Sequence, residues 1–348
     1  MTTSPLDAAR EALVRYVVMP SPEATDAVTL WIAATHVQPA LYTAPRLVIS
    51  SPEKRCGKSR LLDVIEGLCH DPLMAFNATY AAIVRSIDAD DPPTLLFDEA
   101  DAIWPVAGSS GGGAENLRAM LNAGFNRGRP VIRCSGAGSS QTVVRLPSFA
   151  MAALAGIGYT IPDTITDRAV NIRMRRRASH ESADPLRSAD MPALQGIGSG
   201  LGAWLGAHLT ELSTAKPVMT LTDRAADVWE PLMAVADLAG GRWPYDARIA
   251  AMTLHEAYTT AEDASGPGAL LSAIRDAFAG QTRVSTADLV SATGAVDGAA
   301  LASVLRAYGI APRTLRLPTG ARLKGYVLDD FADTFDRYLG TAVTSVTG

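Results

Sequence analysis

The chain is poor in the residues that mark several large protein classes. Its 348 residues include three cysteines, Cys56, Cys69 and Cys134, whose spacing fits neither a disulfide framework nor a zinc site. Five histidines form no H-E-x-x-H pattern, which removes the zinc-protease reading. No apolar run approaches the roughly 18 residues of a membrane span, and Met1–Arg10 has neither a basic start nor an apolar block. A soluble protein of a cytoplasmic, reducing compartment, with no membrane partner, is therefore expected. Basic charge is not in excess either: the formal net charge is −5, so any contact with nucleic acid must be local. No internal repeat is visible. The length suffices for two or three domains with cores of their own.

What is present is a two-part signature. Leu47-Val-Ile-Ser50 reads as a short buried strand and Arg60–Cys69 has helical spacing. Between them, Ser51-Pro-Glu-Lys-Arg-Cys-Gly-Lys-Ser59 feeds a helix N-terminus. Loop amides without an intrahelical partner bind phosphate oxygens and gain from the helix dipole. Pro52, Glu53, Lys54, Arg55, Cys56, Gly57, Lys58, Ser59 and Arg60 form the expected phosphate cradle. Lys58 supplies point charge to the β- and γ-phosphates and Ser59 a hydroxyl to Mg²⁺. Pro52 stands where G-x-x-x-x-G-K-[ST] has its first glycine; proline fixes φ and starts the turn, but brings no N–H.

About forty residues on, the apolar strand Thr94-Leu-Leu-Phe97 ends in Asp98-Glu-Ala-Asp101. This places one carboxylate, Asp98, for Mg²⁺ and the next, Glu99, for polarising an attacking water. Asp101 is either a further functional acid or a solvated residue at the strand end. Together the two halves imply a site for Mg-ATP. Cys56, beside the phosphates, reads as a small residue tolerated in the loop or as a redox-sensitive thiol.

Residues 1–44 read as a helical segment, with Ala8–Val18 and Glu23–His36 separated by Pro20-Ser-Pro22. Residues 45–178 alternate short apolar strands with helices, the pattern of a helix-covered parallel sheet. Within them Gly108–Gly113 reads as a mobile loop into a helix over Glu115–Gly124. Val131–Cys134 and Gln141–Leu146 form a hairpin around a Gly/Ser tip at 135–140. Phe149–Ile157 suits an inner strand. Residues 179–200 read as a linker, 201–264 as helices broken at Pro217 and at Gly240–Pro244, and 265–348 as a winged-helix-like domain. Gly198-Ser-Gly-Leu-Gly-Ala203 mimics a dinucleotide fingerprint but follows no strand, so it reads as a turn opening a helix. Trp204, Trp229 and Trp243 read as core.

The chain resembles the family catalogued as domain of unknown function 3631, ATPases of phages and actinobacterial mobile elements. The resemblance rests on Leu30-Trp-Ile-Ala-Ala-Thr-His36, the 51–59 loop, Phe97-Asp-Glu-Ala-Asp101, Ala155-Gly-Ile-Gly158, Ile161-Pro-Asp-Thr164 with Asp167-Arg168, Trp229-Glu-Pro-Leu232, Ala239-Gly-Gly-Arg-Trp-Pro244 and Lys324-Gly-Tyr326. The arrangement is also similar to AAA+ ATPases, including helicases with a hairpin before the fourth core strand. That resemblance implies an α/β P-loop AAA+ core, a helical lid at 201–264 and a homo-oligomeric, hexameric ring. In such a ring a neighbour supplies an arginine finger to the γ-phosphate; Arg168 stands at that position, or is a surface arginine paired with Asp167. Arg248 is the expected lid arginine sensing the γ-phosphate, with Arg224 and Arg242 as competitors. The polar residue usual at the end of the fourth strand is missing, because Ala155-Gly156 is there.

For DNA, Arg133 and Arg145 of the hairpin are expected phosphate contacts, unless the hairpin packs between subunits. In the last domain Arg306, Arg313, Arg316, Arg322 and Lys324 are basic with no acid between them, a DNA-facing helix end and wing or a protein-contact face. The resulting expectation is a DNA helicase in phage or mobile-element replication, working beside other replication proteins. The alternative is an ATP-switched helicase loader or assembly protein.

Overall fold

The computed structural model describes residues 4–75, 78–104, 112–135, 142–158, 160–265, 267–316 and 322–339. The chain forms two compact units, residues 1–256 and 257–348.

The first unit opens with helices α1 (Pro5–Tyr16) and α2 (Pro22–Thr35), each started by a serine and a proline. The Ser4 hydroxyl accepts from the Asp7 amide and that of Ser21 from the Ala24 amide, while Pro5 and Pro22 occupy a first turn that needs no N–H. There follow β1 (Arg46–Ser51), α3 (Lys58–Leu68), β2 (Pro72–Met74), α4 (Tyr80–Arg85), β3 (Thr94–Phe97), α5 (Ala100–Ile103) and α6 (Gly112–Ala123). Next come β4 (Val131–Ser135), β5 (Thr142–Leu146), β6 (Ala152–Ile157), α7 (Asp163–Thr166) and β7 (Ala169–Arg173). Helices α8 (Met191–Gly206), α9 (Leu209–Ser213) and α10 (Asp223–Ala239) follow, and α11 (Trp243–Ser265) begins in this unit and ends in the second.

Five strands form one parallel sheet in the order β2-β3-β6-β1-β7, and β4 pairs antiparallel with β5 as the expected hairpin. Alternation decides which side chains face which layer. Leu47 and Ile49 of β1 join Leu96, Ala153 and Ile172 in a core with α1, α2, α3, α8 and α10. Val48 joins Leu95, Phe97 and Leu154 in a second core with α4 and α6. Each such fully buried aliphatic side chain contributes about 1.5–3 kcal/mol. The parallel sheet, buried on both faces, is why its strands read as unbroken apolar runs.

One expectation needs correction. Residues 179–200 read as a linker, yet α8 begins at Met191 and contains the whole of Gly198–Ala203. Its glycines bring helices together: a Cβ at Gly198 would lie 2.8 Å from the Leu68 carbonyl oxygen, and one at Gly67 would lie 2.7 Å from Leu194 Cβ. Glycine is here a packing residue of the α3–α8 contact rather than a sign of irregular chain.

The second unit contains α12 (Pro267–Phe278), β8 (Arg283–Ser285), α13 (Thr286–Thr293), α14 (Gly298–Arg306), β9 (Arg313–Arg316), β10 (Arg322–Val327) and α15 (Ala332–Leu339). Its sheet is antiparallel in the order β8-β10-β9. Leu271, Ile274, Phe278, Leu289, Leu301, Leu305, Tyr326 and Phe331 form its core. The reading of this part as winged-helix-like included neither the short β8 nor the last helix, α15. No single helix among the described residues is long and apolar enough to cross a membrane.

Candidate nucleotide site

The carboxyl ends of β1, β3 and β6 converge, and most of the expected phosphate and metal residues lie there. Ser51 ends β1, and the loop that follows takes two left-handed residues, Arg55 (φ 66°) and Gly57 (φ 88°), before α3 begins at Lys58. Glycine at 57 makes the second of these cheap. Pro52, Glu53, Lys54, Arg55, Gly57 and Ser59 are exposed, whereas Cys56 and Lys58 are buried. The Lys58 ammonium donates to Ser51 Oγ at 2.6 Å, and Ser51 Oγ donates to the Glu53 carbonyl at 2.6 Å. The first amides of α3 have no intrahelical acceptor and no side-chain cap, the ordinary condition of an anion-binding helix start.

Phe97 ends β3, and Asp98 Oδ1 accepts from the Glu99 amide at 2.9 Å. Glu99 is itself left-handed (φ 55°, ψ 41°) and starts the short α5. For a residue with a Cβ this conformation costs about 1–2 kcal/mol. Burial pushes the Asp63 carboxyl of α3 up, Arg60 opposes this, and the charge of Asp98 adds to the upward shift. Asp98 follows β3 at the same carboxyl end of the sheet from which the loop to Ser59 leaves β1. One carboxylate and one hydroxyl, with phosphate oxygens and water completing the shell, is the donor set Mg²⁺ takes. No group of three or more His, Cys, Asp or Glu side chains able to hold a metal is found among the described residues.

A cavity of about 340 Å³ adjoins the loop, lined by Tyr16 at the end of α1 and Val17 and Val18 beyond it, by Arg55, Cys56, Gly57 and Arg60, and by Arg175, Arg177 and Asp184. The strap beyond β7 closes it: Asp184 accepts from Arg15 Nε at 2.9 Å, and its amide donates to the Arg15 carbonyl at 2.8 Å. The sequence offered no motif for this wall, because its residues come from three distant segments and become neighbours only on folding.

The expected arginines are placed differently. Arg168 precedes β7 at the opposite, amino edge of the sheet, where its carbonyl accepts from the Arg46 amide at 2.9 Å. A strand of five or six residues, roughly 17 Å, separates it from the phosphate loop of its own chain. Its Nη1 donates to the Thr164 carbonyl at 2.6 Å and lies 3.8 Å from Asp167, which Arg224 approaches to 3.6 Å. Burial first, and then the neighbouring Arg224, lower the Arg168 pKa. Arg248 grips Asp237 through two bonds of 2.8 and 3.0 Å and donates to the Pro244 carbonyl at 2.7 Å. Arg242 lies over Trp243 and is shared among Asp7, Asp26 and Asp246.

Of the residues expected at DNA, Arg133 donates to Asn116 at 2.8 Å and lies over the Tyr80 ring. Arg145 is exposed on β5. The hairpin tip at 136–141 and the loop at 105–111 lie outside the described residues. In the second unit Arg313 is ion-paired with Asp330. Arg322 and Lys324 are exposed on β10 and pair in register with Arg316 and Thr314 of β9. Two residues apart on one strand, Arg322 and Lys324 share a face. Arg306 ends α14.

A five-stranded parallel sheet whose β1 runs through a Gly-Lys-Ser loop into a helix, and whose β3, across β6 from it, is followed by Asp98-Glu99, defines an α/β protein with a P-loop core. A family described as "Protein of unknown function (DUF3631)" matches residues 173–338. The chain is also 37% identical over 180 residues, 47% of its length and 68% of the relative's, to an uncharacterized 28.9 kDa protein in the xis 5′ region of Saccharopolyspora erythraea. The chain belongs to the DUF3631 family. Among solved structures, JCV helicase is similar at 14% identity and a TM-score of 0.32, over 59% of this chain and 65% of that one. Inhibitor-bound JCV helicase gives 16% and 0.33, over 64% and 56%. The chain thus spans less than two thirds of these helicase chains.

Proposed function

We propose that this chain is a Mg-ATP-hydrolysing AAA+ ATPase that assembles into a hexameric ring and acts on DNA as a helicase in phage or mobile-element replication. The observation that supports the hydrolysis reading is the placement of Lys58 and Ser59 after β1, and of Asp98 and Glu99 after β3, at the carboxyl end of one parallel sheet. Lys58 and the loop amides hold the triphosphate, and the cavity behind Gly57 receives the nucleoside. Ser59 and Asp98 hold Mg²⁺, which neutralises phosphate charge when bound. Glu99 orients a water and takes its proton as the water oxygen joins the γ-phosphorus and ADP leaves.

Arg168 cannot reach the phosphates of its own chain across the sheet, so it acts on the site of a neighbouring copy. The mobile-element setting draws support from the relative in the xis 5′ region. The second unit is read as a winged helix, with Arg322 and Lys324, exposed on β10, as its DNA-facing residues.

The loader or assembly-factor reading is kept because two expected DNA contacts already have partners within the chain, Arg133 on Asn116 and Arg313 on Asp330. ATP turnover with and without single- and double-stranded DNA separates the two. Several-fold stimulation that is lost on Arg133→Ala/Arg145→Ala supports the motor. Turnover indifferent to DNA supports the loader.

A further inference from the structure

The end of β6 lacks a polar side chain of its own, yet a carboxylate occupies that place. Asp101 Oδ1 accepts from the Ile157 amide at 3.0 Å, so the first turn of α5 is tied to the last residue of the central strand. The next amide, Gly158, donates to the Ser51 carbonyl at 2.9 Å. Ser51 in turn holds Lys58. A short chain of hydrogen bonds therefore runs from the acidic turn to the phosphate loop.

Gly156 is what admits Asp101. A Cβ there would lie 3.2 Å from the Asp101 amide nitrogen, 3.3 Å from its Oδ1 and 3.7 Å from Ala100 Cβ. The first two are tighter than ordinary packing. Gly156 has no positive φ to explain it; the close approach of α5 does. The same turn carries Glu99, whose left-handed backbone persists only if its surroundings fix it.

We infer that Asp101 is the positioning residue for Glu99: seated against Gly156, it supplies from the acidic turn the polar anchor that β6 lacks and keeps Glu99 aimed at the attacking water. This rests on the hydrolysis reading of the same site. Its working part is the hydrogen-bond acceptor on Ile157, which asparagine retains and alanine does not.

The test compares wild type, Asp101→Ala, Asp101→Asn, Gly156→Ala and Glu99→Gln in three measurements: kcat for ATP, affinity for a fluorescent ATP analogue, and amide hydrogen exchange of the nucleotide-free chain. Asp101→Ala lowers kcat at least tenfold with affinity changed less than threefold, and speeds exchange at Ile157. Asp101→Asn restores both to within threefold of wild type. Gly156→Ala, which keeps Asp101 but crowds it, lowers kcat about three- to tenfold and keeps the inference testable should Asp101→Ala fail to fold. Wild-type kcat in Asp101→Ala, or Asp101→Asn as slow as Asp101→Ala, overturns the inference while leaving the hydrolysis reading intact. Wild type no faster than Glu99→Gln overturns both.

Discussion

Lys58 and Ser51 are joined across the phosphate loop by a hydrogen bond of 2.6 Å, from the ammonium to the hydroxyl. The lysine is buried and its approach to a ligand is set by a residue seven positions earlier, at the end of β1. Ser51→Ala removes both hydrogen bonds of the hydroxyl, to Lys58 and to the Glu53 carbonyl; the loss of the first frees the lysine to other rotamers and costs about 1 kcal/mol. The expected result is an ATP affinity about fivefold weaker with kcat little changed, read by titration with a fluorescent analogue. Lys58→Ala abolishes binding at the same concentrations.

The position of Arg168, at the sheet edge remote from its own phosphate loop, predicts complementation between defective copies. Arg168→Ala alone should lose on the order of 10³-fold in turnover while still binding ATP. Glu99→Gln alone is inactive for a different reason. Mixed, the two place an intact Glu99 site against an intact Arg168, and turnover should return, greatest at equal mixing and falling toward either pure protein.

His36 gives the fold a pH dependence of stated sign. Burial, and then the charge of His70, lower its pKa from 6.5 to about 4, while its Nε2 lies 2.8 Å from the Leu68 carbonyl. The unfolded chain takes up the proton first, so stability falls as pH drops from about 6.5 to about 4. The loss from this group is about 2 kcal/mol between pH 7.5 and 5. Urea melts of wild type and His36→Gln at both pH values isolate it: the variant should show that much less dependence on pH.

The basic residues of the second unit divide by register. Arg322→Ala or Lys324→Ala should weaken DNA binding across sequences and reduce the slope of log affinity against log salt by about 1 each. Arg313→Ala should leave that slope unchanged and lower the melting temperature slightly, because its partner is Asp330. Fluorescence anisotropy over a salt series reads the difference.

The phosphate loop, the acidic strand end and the fold class were legible because each is a local pattern: a strand, a turn and a helix start written in consecutive residues. What escaped was written across the chain. Arg46 is the first residue of β1 and, though charged, is fully buried. Its guanidinium donates to the Ala150 and Leu121 carbonyls, and burial lowers its pKa to about 9. Gly198 reads as irregular chain because its composition does; its closeness to Leu68 is a property of two helices, not of one. Asp101 could be functional or solvated until Gly156, fifty-five residues on, was seen to leave room for it.

The central claim is that Lys58, Ser59, Asp98 and Glu99 form a working ATPase site. The most direct test is the steady-state rate of ADP formation by the full chain with Mg²⁺, measured beside Glu99→Gln at equal ATP occupancy. The account predicts turnover by the wild type and a loss of at least a hundredfold in Glu99→Gln, with ATP binding retained. Equal rates in the two proteins, or no turnover in either while ATP is bound, would contradict it.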